Sequence, residues 1–289
     1  MFQDRKLSIG SILRVFWLQV SVTWALTLFE TFILVSLPLL IGRSIDGFLN
    51  ANWTPFLWLC AAMAILLIVS VGRRVYDTRA YGRMRVELGT AVVDKAKDQS
   101  VSTTNARLNM SRELITFLEA EAPIVLMAVV QVVVSLTILF SFHGLLAATA
   151  GGATVLALAI YGVSSGRFFR LNGDLNAQSE QQVSVLEGEV KDAIKVHLSA
   201  LRRHEVRLSD TEAVVYGLIF VGLLSMLGIN LWFAATQLSA TPGEIFSIVT
   251  YSYEFIESAV MLPAALQSLT RISEITQRIN QLDQTASAS

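Results

Sequence analysis

The chain has 289 residues, of which 53% are hydrophobic and only 16% charged, and its formal net charge is −1. Soluble domains carry about 25% charged residues, so this composition, with a mean hydropathy of +0.56, excludes an ordinary soluble domain. The near-neutral charge predicts no nucleic-acid partner. The single cysteine, Cys60, excludes an intrachain disulfide and a multi-cysteine metal site, and we predict neither a metal nor a cofactor.

Apolar runs long enough to cross a bilayer, which takes about 20 residues each, recur along the chain. They predict an all-α integral membrane protein with six spans, at 15–42, 54–72, 122–142, 144–165, 213–235 and 243–266. The third and fourth spans are separated only by SFHG, which predicts a tight turn with His143 and Gly144 at its tip. Before the sixth span, Thr241, Pro242 and Glu244 have the spacing of a capping box with proline at the first helical position.

Lysine and arginine are distributed unevenly between the segments outside the spans. Of 22 such residues, 21 lie in the N-terminal segment, in residues 73–121 and 167–212, and in the C-terminal tail, whereas Arg43 alone lies on the other side. This asymmetry predicts that both termini and both long loops are cytoplasmic, in a plasma membrane or bacterial inner membrane. The long loops look helical and predict two hairpins that project about 30–37 Å into the cytoplasm.

Three segments carry a resemblance to a known family. They are LPLLIGRSIDGFL at 37–49, VSVLEGEVKDAIKVHLSALRRHE in the second inner loop, and the sixth span with its extension, from TPGEIF to QRINQL. In order and spacing they resemble the six-helix transmembrane domain of ABC exporters. The resemblance implies one domain over 1–280, a flexible tail at 281–289, and a domain-swapped homodimer around a cavity that alternates between the two membrane faces.

The motifs of an ATPase are missing from this sequence. Gly-Lys never occurs, so there is no G-x-x-x-x-G-K-[ST] phosphate loop, and the Leu-Ser-Gly-Gly-Gln signature is also absent. The chain is therefore predicted not to be an enzyme. Bacterial peptide importers that have an exporter-like fold and no nucleotide-binding domain use the proton gradient, and the resemblance extends this expectation to the present chain.

Three carboxylates lie inside apolar spans, Glu30 in the first and Glu254 and Glu257 in the sixth. Each charge costs about 2.5–3.5 kcal/mol at mid-bilayer, and no lysine or arginine lies inside a predicted span to pair with them. Helical rise places all three at one level, about 16–21 Å below the outer ends of their spans. Desolvation and mutual repulsion favour protonation of such acids, which predicts proton coupling at Glu30, Glu254 and Glu257.

The same residues are candidates for substrate binding. Together with Tyr251 and Tyr253, the acids could hold an organic cation through charge and cation–π contacts. Two alternatives stay open: the tyrosines pack against other helices, or the acids are solvated or hydrogen-bonded to neighbours such as Gln131.

Three functions follow from these observations. The first is a proton-coupled secondary transporter, with export favoured, of a cationic or amphipathic small molecule or peptide. The second is the transmembrane subunit of an ABC transporter that uses a separately encoded ATPase. The third, a non-transporting membrane scaffold, gives no reason for acids inside the spans.

Overall fold

The computed structural model of the protein describes residues 9–95, 101–188 and 191–261, and these residues contain helices and no strands. The helices are α1 (Ile9–Val15), α2 (Trp17–Leu49), α3 (Thr54–Lys95), α4 (Val101–Thr116), a π-helix (Phe117–Glu121), α5 (Ala122–Phe142), α6 (Gly144–Glu180), α7 (Gln182–Glu187) and α8 (Lys191–Thr236), followed by α9 over 242–261. The end of the predicted sixth span and the predicted tail at 281–289 lie outside the described residues.

Length and composition identify helices that can cross a membrane. Within the described residues they are Trp17–Leu49, Thr54–Asp94, Ser111–Phe142, Gly144–Glu187 and Lys191–Thr236. α5 coincides with the predicted third span, and α6 begins where the fourth was predicted. The 42 residues of α3 extend over about 63 Å, twice the roughly 30 Å of a hydrocarbon core. The predicted all-α membrane protein is therefore confirmed, with helices that continue well outside the core.

The helices form two compact units. The first contains α1 to α4, the π-helix, α5 up to Ile138, and α9, and the second contains the last residues of α5 with α6, α7 and α8. The single domain expected over 1–280 stays a prediction.

The core of the first unit lies along the later part of α3. Tyr81, Met84, Leu88 and Val92 recur every three or four residues, so they share one face of the helix. That face packs against further fully buried side chains: Ile12, Phe16, Leu114, Ile115 and Leu118. The Tyr81 hydroxyl also donates a hydrogen bond to the carbonyl of Leu118 at 3.0 Å, and Arg85 forms an ion pair with Glu119. The π-helix is thus bound to α3 by both apolar and polar contacts.

α9 meets α2 at a glycine contact in the same unit. A Cβ atom on Gly243 would lie 1.9 Å from the carbonyl oxygen of Gly42, so only glycine permits this approach. Asp46 accepts hydrogen bonds from the Thr241 hydroxyl (2.6 Å) and the Gly243 amide (2.9 Å). The predicted capping box is confirmed, because the Glu244 amide donates to Thr241 Oγ1 at 3.2 Å and the Thr241 amide donates to Glu244 Oε2 at 2.9 Å.

The second unit is held by the contact between α6 and α8. One stripe of α8 is buried: Val215, Ile219, Leu223, Met226, Asn230 and Ala234. Within it, the Thr149 hydroxyl donates to Asn230 Oδ1 at 2.6 Å. The predicted tight turn is confirmed, since His143 separates α5 from α6 and its Nδ1 accepts a hydrogen bond from the Leu145 amide at 3.1 Å.

Candidate functional site

The glycine contact begins a series of bonds that fixes the register of α9 along α2. One turn deeper, the Ser247 hydroxyl donates to the carbonyl of Pro38 at 3.1 Å. After one more turn, the Tyr251 hydroxyl donates to the carbonyl of Val35 at 2.7 Å. Because the helices run antiparallel, the next turn of α9 brings Glu254 opposite the part of α2 that contains Thr31.

Glu254 and Glu257 line a pocket between α2, α5 and α9. Its volume is about 290 Å³, and it is lined by Thr31, Leu34, Val35, Ile124, Met127, Ala128, Gln131, Glu254, Glu257, Ser258 and Met261. The amide of Gln131 donates a hydrogen bond to Glu254 Oε2. Apolar walls with a few polar groups are typical of small-molecule sites, although this volume is at the lower end of their range.

The ionisable residues described in this pocket are acids. Two of the residues that line it are acids, and lysine and arginine do not occur among them. The hydrogen bond from Gln131 satisfies one carboxylate oxygen of Glu254 but brings no positive charge. Such a pocket can bind a proton or an organic cation. One alternative from the sequence was that the acids hydrogen-bond to neighbours such as Gln131. The structure shows this bond for Glu254, and the bond does not prevent Glu254 from binding a proton or an organic cation.

The two tyrosines predicted to bind substrate occupy different environments. Tyr251 is fully buried, with 0% of its surface exposed, and its hydroxyl is bonded to α2. Tyr253 is 56% exposed. Neither residue lines the pocket that the described residues form around Glu254, so a joint site of the tyrosines and the acids stays a prediction.

Glu30 is bound elsewhere, and the expectation that no cation can pair with it is wrong. The Ser70 hydroxyl donates to Glu30 Oε1 at 2.6 Å, and the Arg73 guanidinium forms an ion pair with Oε2. Arg73 also donates to Asp77 Oδ2 at 3.1 Å. The reason is that α3 continues as a helix beyond residue 72, which brings the first arginine after the apolar run alongside α2. Glu30 therefore does not line the pocket of Glu254 and Glu257.

Sequence reasoning missed Arg73 and Asp77. A signal was present, because the two residues are four apart on a predicted helical extension and can form an ion pair along one face. The predicted second span ends at residue 72, one residue before Arg73, so Arg73 was not counted among the cations inside a span.

A protein-family model matches most of the chain. The model described as ABC transporter transmembrane region matches residues 9–243 of this chain. This range includes the five described helices that are long and apolar enough to cross a membrane and the start of α9. No curated protein matches the chain.

Proposed function

Because the chain belongs to the family of ABC transporter transmembrane regions, and so is a membrane transport protein, we propose that it is a proton-coupled transporter. Its proposed cargo is a cationic or amphipathic small molecule or peptide, and export is the favoured direction. The proposed assembly is a domain-swapped homodimer in a plasma or bacterial inner membrane, with cytoplasmic termini.

The observation that carries the proposal is the pair of carboxylates in a pocket that lacks a lysine or arginine. Glu254 and Glu257 lie one turn apart on α9 and face the apolar walls contributed by α2 and α5. An uncompensated charge is unfavourable in such surroundings. Protonation or the arrival of a cation removes that cost, so the pocket favours whichever of the two is available.

Competition between the two ligands gives an exchange mechanism. Protonated Glu254 is neutral and does not attract a cation, whereas the ionised carboxylate accepts the Gln131 hydrogen bond and attracts positive charge. A cation that enters from one side displaces a proton, and a proton that enters from the other side displaces the cation. If each ligand stabilises a different access state, its differential affinity drives the conformational change.

The remaining predicted residues take less direct roles in this proposal. Glu30 stabilises α2 against α3 through Arg73, so it contributes to coupling through the helix contact rather than by binding cargo. Tyr251 positions α9 on α2 through its bond to Val35. The exposed Tyr253 is the aromatic residue available for a cation–π contact in the assembled protein.

Reconstitution of the purified chain in liposomes tests the proposal. With a pH gradient and no ATP, we expect flux of ethidium or of a short arginine-rich peptide. Glu254→Gln should abolish this flux while it preserves the fold, because a glutamine carbonyl can still accept the hydrogen bond from Gln131. The matched control is Glu87→Gln, at an exposed position of α3, which should transport as the unmodified protein does. Flux that survives Glu254→Gln contradicts the proposal.

One observation favours the alternative of an ABC subunit that works with a separate ATPase. The later part of α3 packs tightly against α4 and the π-helix through Tyr81, Met84, Leu88 and Leu118. A rigid extension of this kind can transmit movement from a cytoplasmic partner to the spans. In the liposome experiment, this function predicts no flux with the pH gradient alone and flux only after an ATPase subunit and ATP are added.

A further inference from the structure

A second group of polar side chains lies between α2 and α3, apart from the pocket of Glu254. We call it the Arg73 cluster, and it contains Glu30, Ser70, Arg73, Asp77 and Thr23. Glu30 and Asp77 both bind the guanidinium of Arg73. One positive charge is therefore shared by two carboxylates, and the cluster has a net charge of −1 when both acids are ionised.

Burial makes this excess charge costly. Asp77 is 5% exposed and Thr23 is 1% exposed, and the side chain of Glu30 is 12% exposed. In a medium of low polarity, an ion pair is stable when the charges balance and each polar atom has a partner. The Arg73 cluster does not balance, so it is stabilised by any ligand that adds one positive charge.

Buried polar atoms that have no hydrogen-bond partner lie near Asp77 and near its neighbour Tyr81. Within the described part of the chain, Asp77 Oδ1, Thr23 Oγ1 and Trp24 Nε1 are buried and form no hydrogen bond. The Thr23 hydroxyl lies next to the Asp77 carboxylate, and both Thr23 and Trp24 lie next to the Tyr81 hydroxyl. Buried polar atoms without partners are unusual in stable structures, and here Asp77 Oδ1 and its neighbour Thr23 Oγ1 are both of this kind.

From this geometry we propose that the Arg73 cluster is a second proton-binding site, in which Asp77 Oδ1 takes up one proton. The new O–H bond forms at the unpartnered oxygen and points to Thr23 Oγ1, while Oδ2 keeps its contact with Arg73. Uptake changes the net charge of the cluster from −1 to zero, which removes the uncompensated charge from its buried surroundings. The site extends the proposed proton coupling, but its existence does not depend on transport.

The surroundings of Asp77 favour a proton over a metal ion. The charged and titratable groups near it are Glu30 on α2, Arg73, Tyr81 and Arg85 on α3, and Glu119 on the π-helix. Arg85 is paired with Glu119, so these two charges largely cancel. Sodium would need several oxygen ligands, whereas the Arg73 guanidinium already directs its hydrogens at Asp77.

Proton uptake would also redistribute the contacts of Arg73. A neutral Asp77 attracts the guanidinium less, so Arg73 pairs more strongly with Glu30. The link between α2 and α3 then tightens at Glu30 and loosens at Asp77. Because Tyr81 joins this region to the carbonyl of Leu118, the protonation state of Asp77 acts on the contact between α3 and the π-helix.

Trp24 provides a local probe for the test. The full-length chain is prepared with phenylalanine in place of Trp17, Trp53, Trp58 and Trp232, and the fluorescence of Trp24 is recorded against pH. We expect a single pH-dependent step that disappears in Asp77→Asn. Asparagine keeps an acceptor for Arg73 and adds no charge, so the variant should remain folded, which circular dichroism verifies. Asp94→Asn, at an exposed position of the same helix, is the matched control and should keep the step.

An infrared measurement tests the same site without tryptophan substitutions. The difference spectrum between low and high pH should contain the C=O stretch of a protonated carboxylic acid, and Asp77→Asn should remove one such component. A step that persists in Asp77→Asn in both measurements overturns the proposal, and so does a step of equal size produced by sodium at constant pH. Glu254→Gln should leave the Trp24 step unchanged. Its effect on transport therefore tests the pocket independently of this site.

Discussion

Glu30 and Glu254 lie on adjoining helices of the first unit, and their surroundings differ in charge. Glu30 is bound by the guanidinium of Arg73 and the hydroxyl of Ser70. Glu254 accepts a hydrogen bond from the neutral amide of Gln131 and faces a pocket shared with Glu257. The first acid has an internal cation, whereas the second has no lysine or arginine among the described residues of its pocket.

The difference separates two uses of a carboxylate inside a membrane. Where the protein supplies the opposite charge, the acid stabilises a contact between helices, and its removal affects the fold. Where the protein supplies only a hydrogen bond, the acid keeps its attraction for a ligand, and its removal affects binding. The following predictions test whether the Arg73 cluster and the pocket around Glu254 differ in this way.

The largest effect is expected when the cation of the Arg73 cluster is removed. Arg73→Ala leaves Glu30 and Asp77 close together without an opposite charge, and breaking a buried ion pair costs about 3–5 kcal/mol. The midpoint of thermal unfolding in detergent should fall strongly, and it should recover in part at low pH, where both acids are protonated. Arg74→Ala, which removes an exposed arginine one position away, should change the midpoint little. Equal midpoints for the two variants would show that Arg73 does not hold α2 and α3 together.

A second large effect is expected at the glycine contact that positions the pocket. Alanine at position 243 would place its Cβ 1.9 Å from the carbonyl oxygen of Gly42, so α9 must move away from α2. Overpacking of this kind typically costs about 1–3 kcal/mol. Flux in the liposome assay should fall with stability, because Glu254 lies further along the same helix.

The control for the glycine contact is Gly217→Ala on α8. No atom lies within 4 Å of a Cβ added there, so the gain in helix propensity, about 1 kcal/mol, should appear as slight stabilisation. If Gly243→Ala also stabilises the protein, the close approach of α2 and α9 is not part of its structure.

Much of the fold was predictable because it depends on the length of apolar runs and on the spacing of nearby residues, and both can be read from the sequence. The ends of α5, the turn at His143 and the capping box of Thr241 and Glu244 follow from apolar length and from short-range spacing. Glu254 and Glu257 were recognised as candidate proton- and substrate-binding residues for the same reason, because an acid within an apolar run can be identified without knowledge of its neighbours in the fold.

The partners of those acids were less accessible. Helical rise gives the depth of Glu30 along its span, but not the direction of its side chain or the helix that it meets. The contact with Arg73 joins positions 43 residues apart in the sequence, and it depends on how α3 rotates against α2. The burial of Tyr251 likewise follows from the Gly42–Gly243 approach, which no local pattern indicates.

A smaller effect separates the two acids themselves. Glu30→Gln weakens a charged hydrogen bond worth about 1–3 kcal/mol, but it also removes the excess negative charge of the cluster and leaves Arg73 bound to Asp77. We therefore expect a net destabilisation well below that of Arg73→Ala. Glu254→Gln keeps the hydrogen bond from Gln131, so its unfolding midpoint should match that of the unmodified protein while flux is lost. The opposite result, destabilisation by Glu254→Gln alone, would reverse the roles assigned to the two regions.

The smallest effect is expected when a neutral donor is removed from each acid. Interhelical hydrogen bonds in membrane proteins contribute about 0.6 kcal/mol on average, so Gln131→Leu and Ser70→Ala should each shift the unfolding midpoint only slightly.

The effects of Gln131→Leu and Ser70→Ala on flux should differ. Glu254 loses its one described hydrogen bond to another helix, so Gln131→Leu should weaken flux and change its dependence on pH. Glu30 keeps Arg73 after Ser70→Ala, so flux should stay as it was. Flux profiles that change equally in the two variants would mean that the Arg73 cluster and the pocket respond to protons as one site.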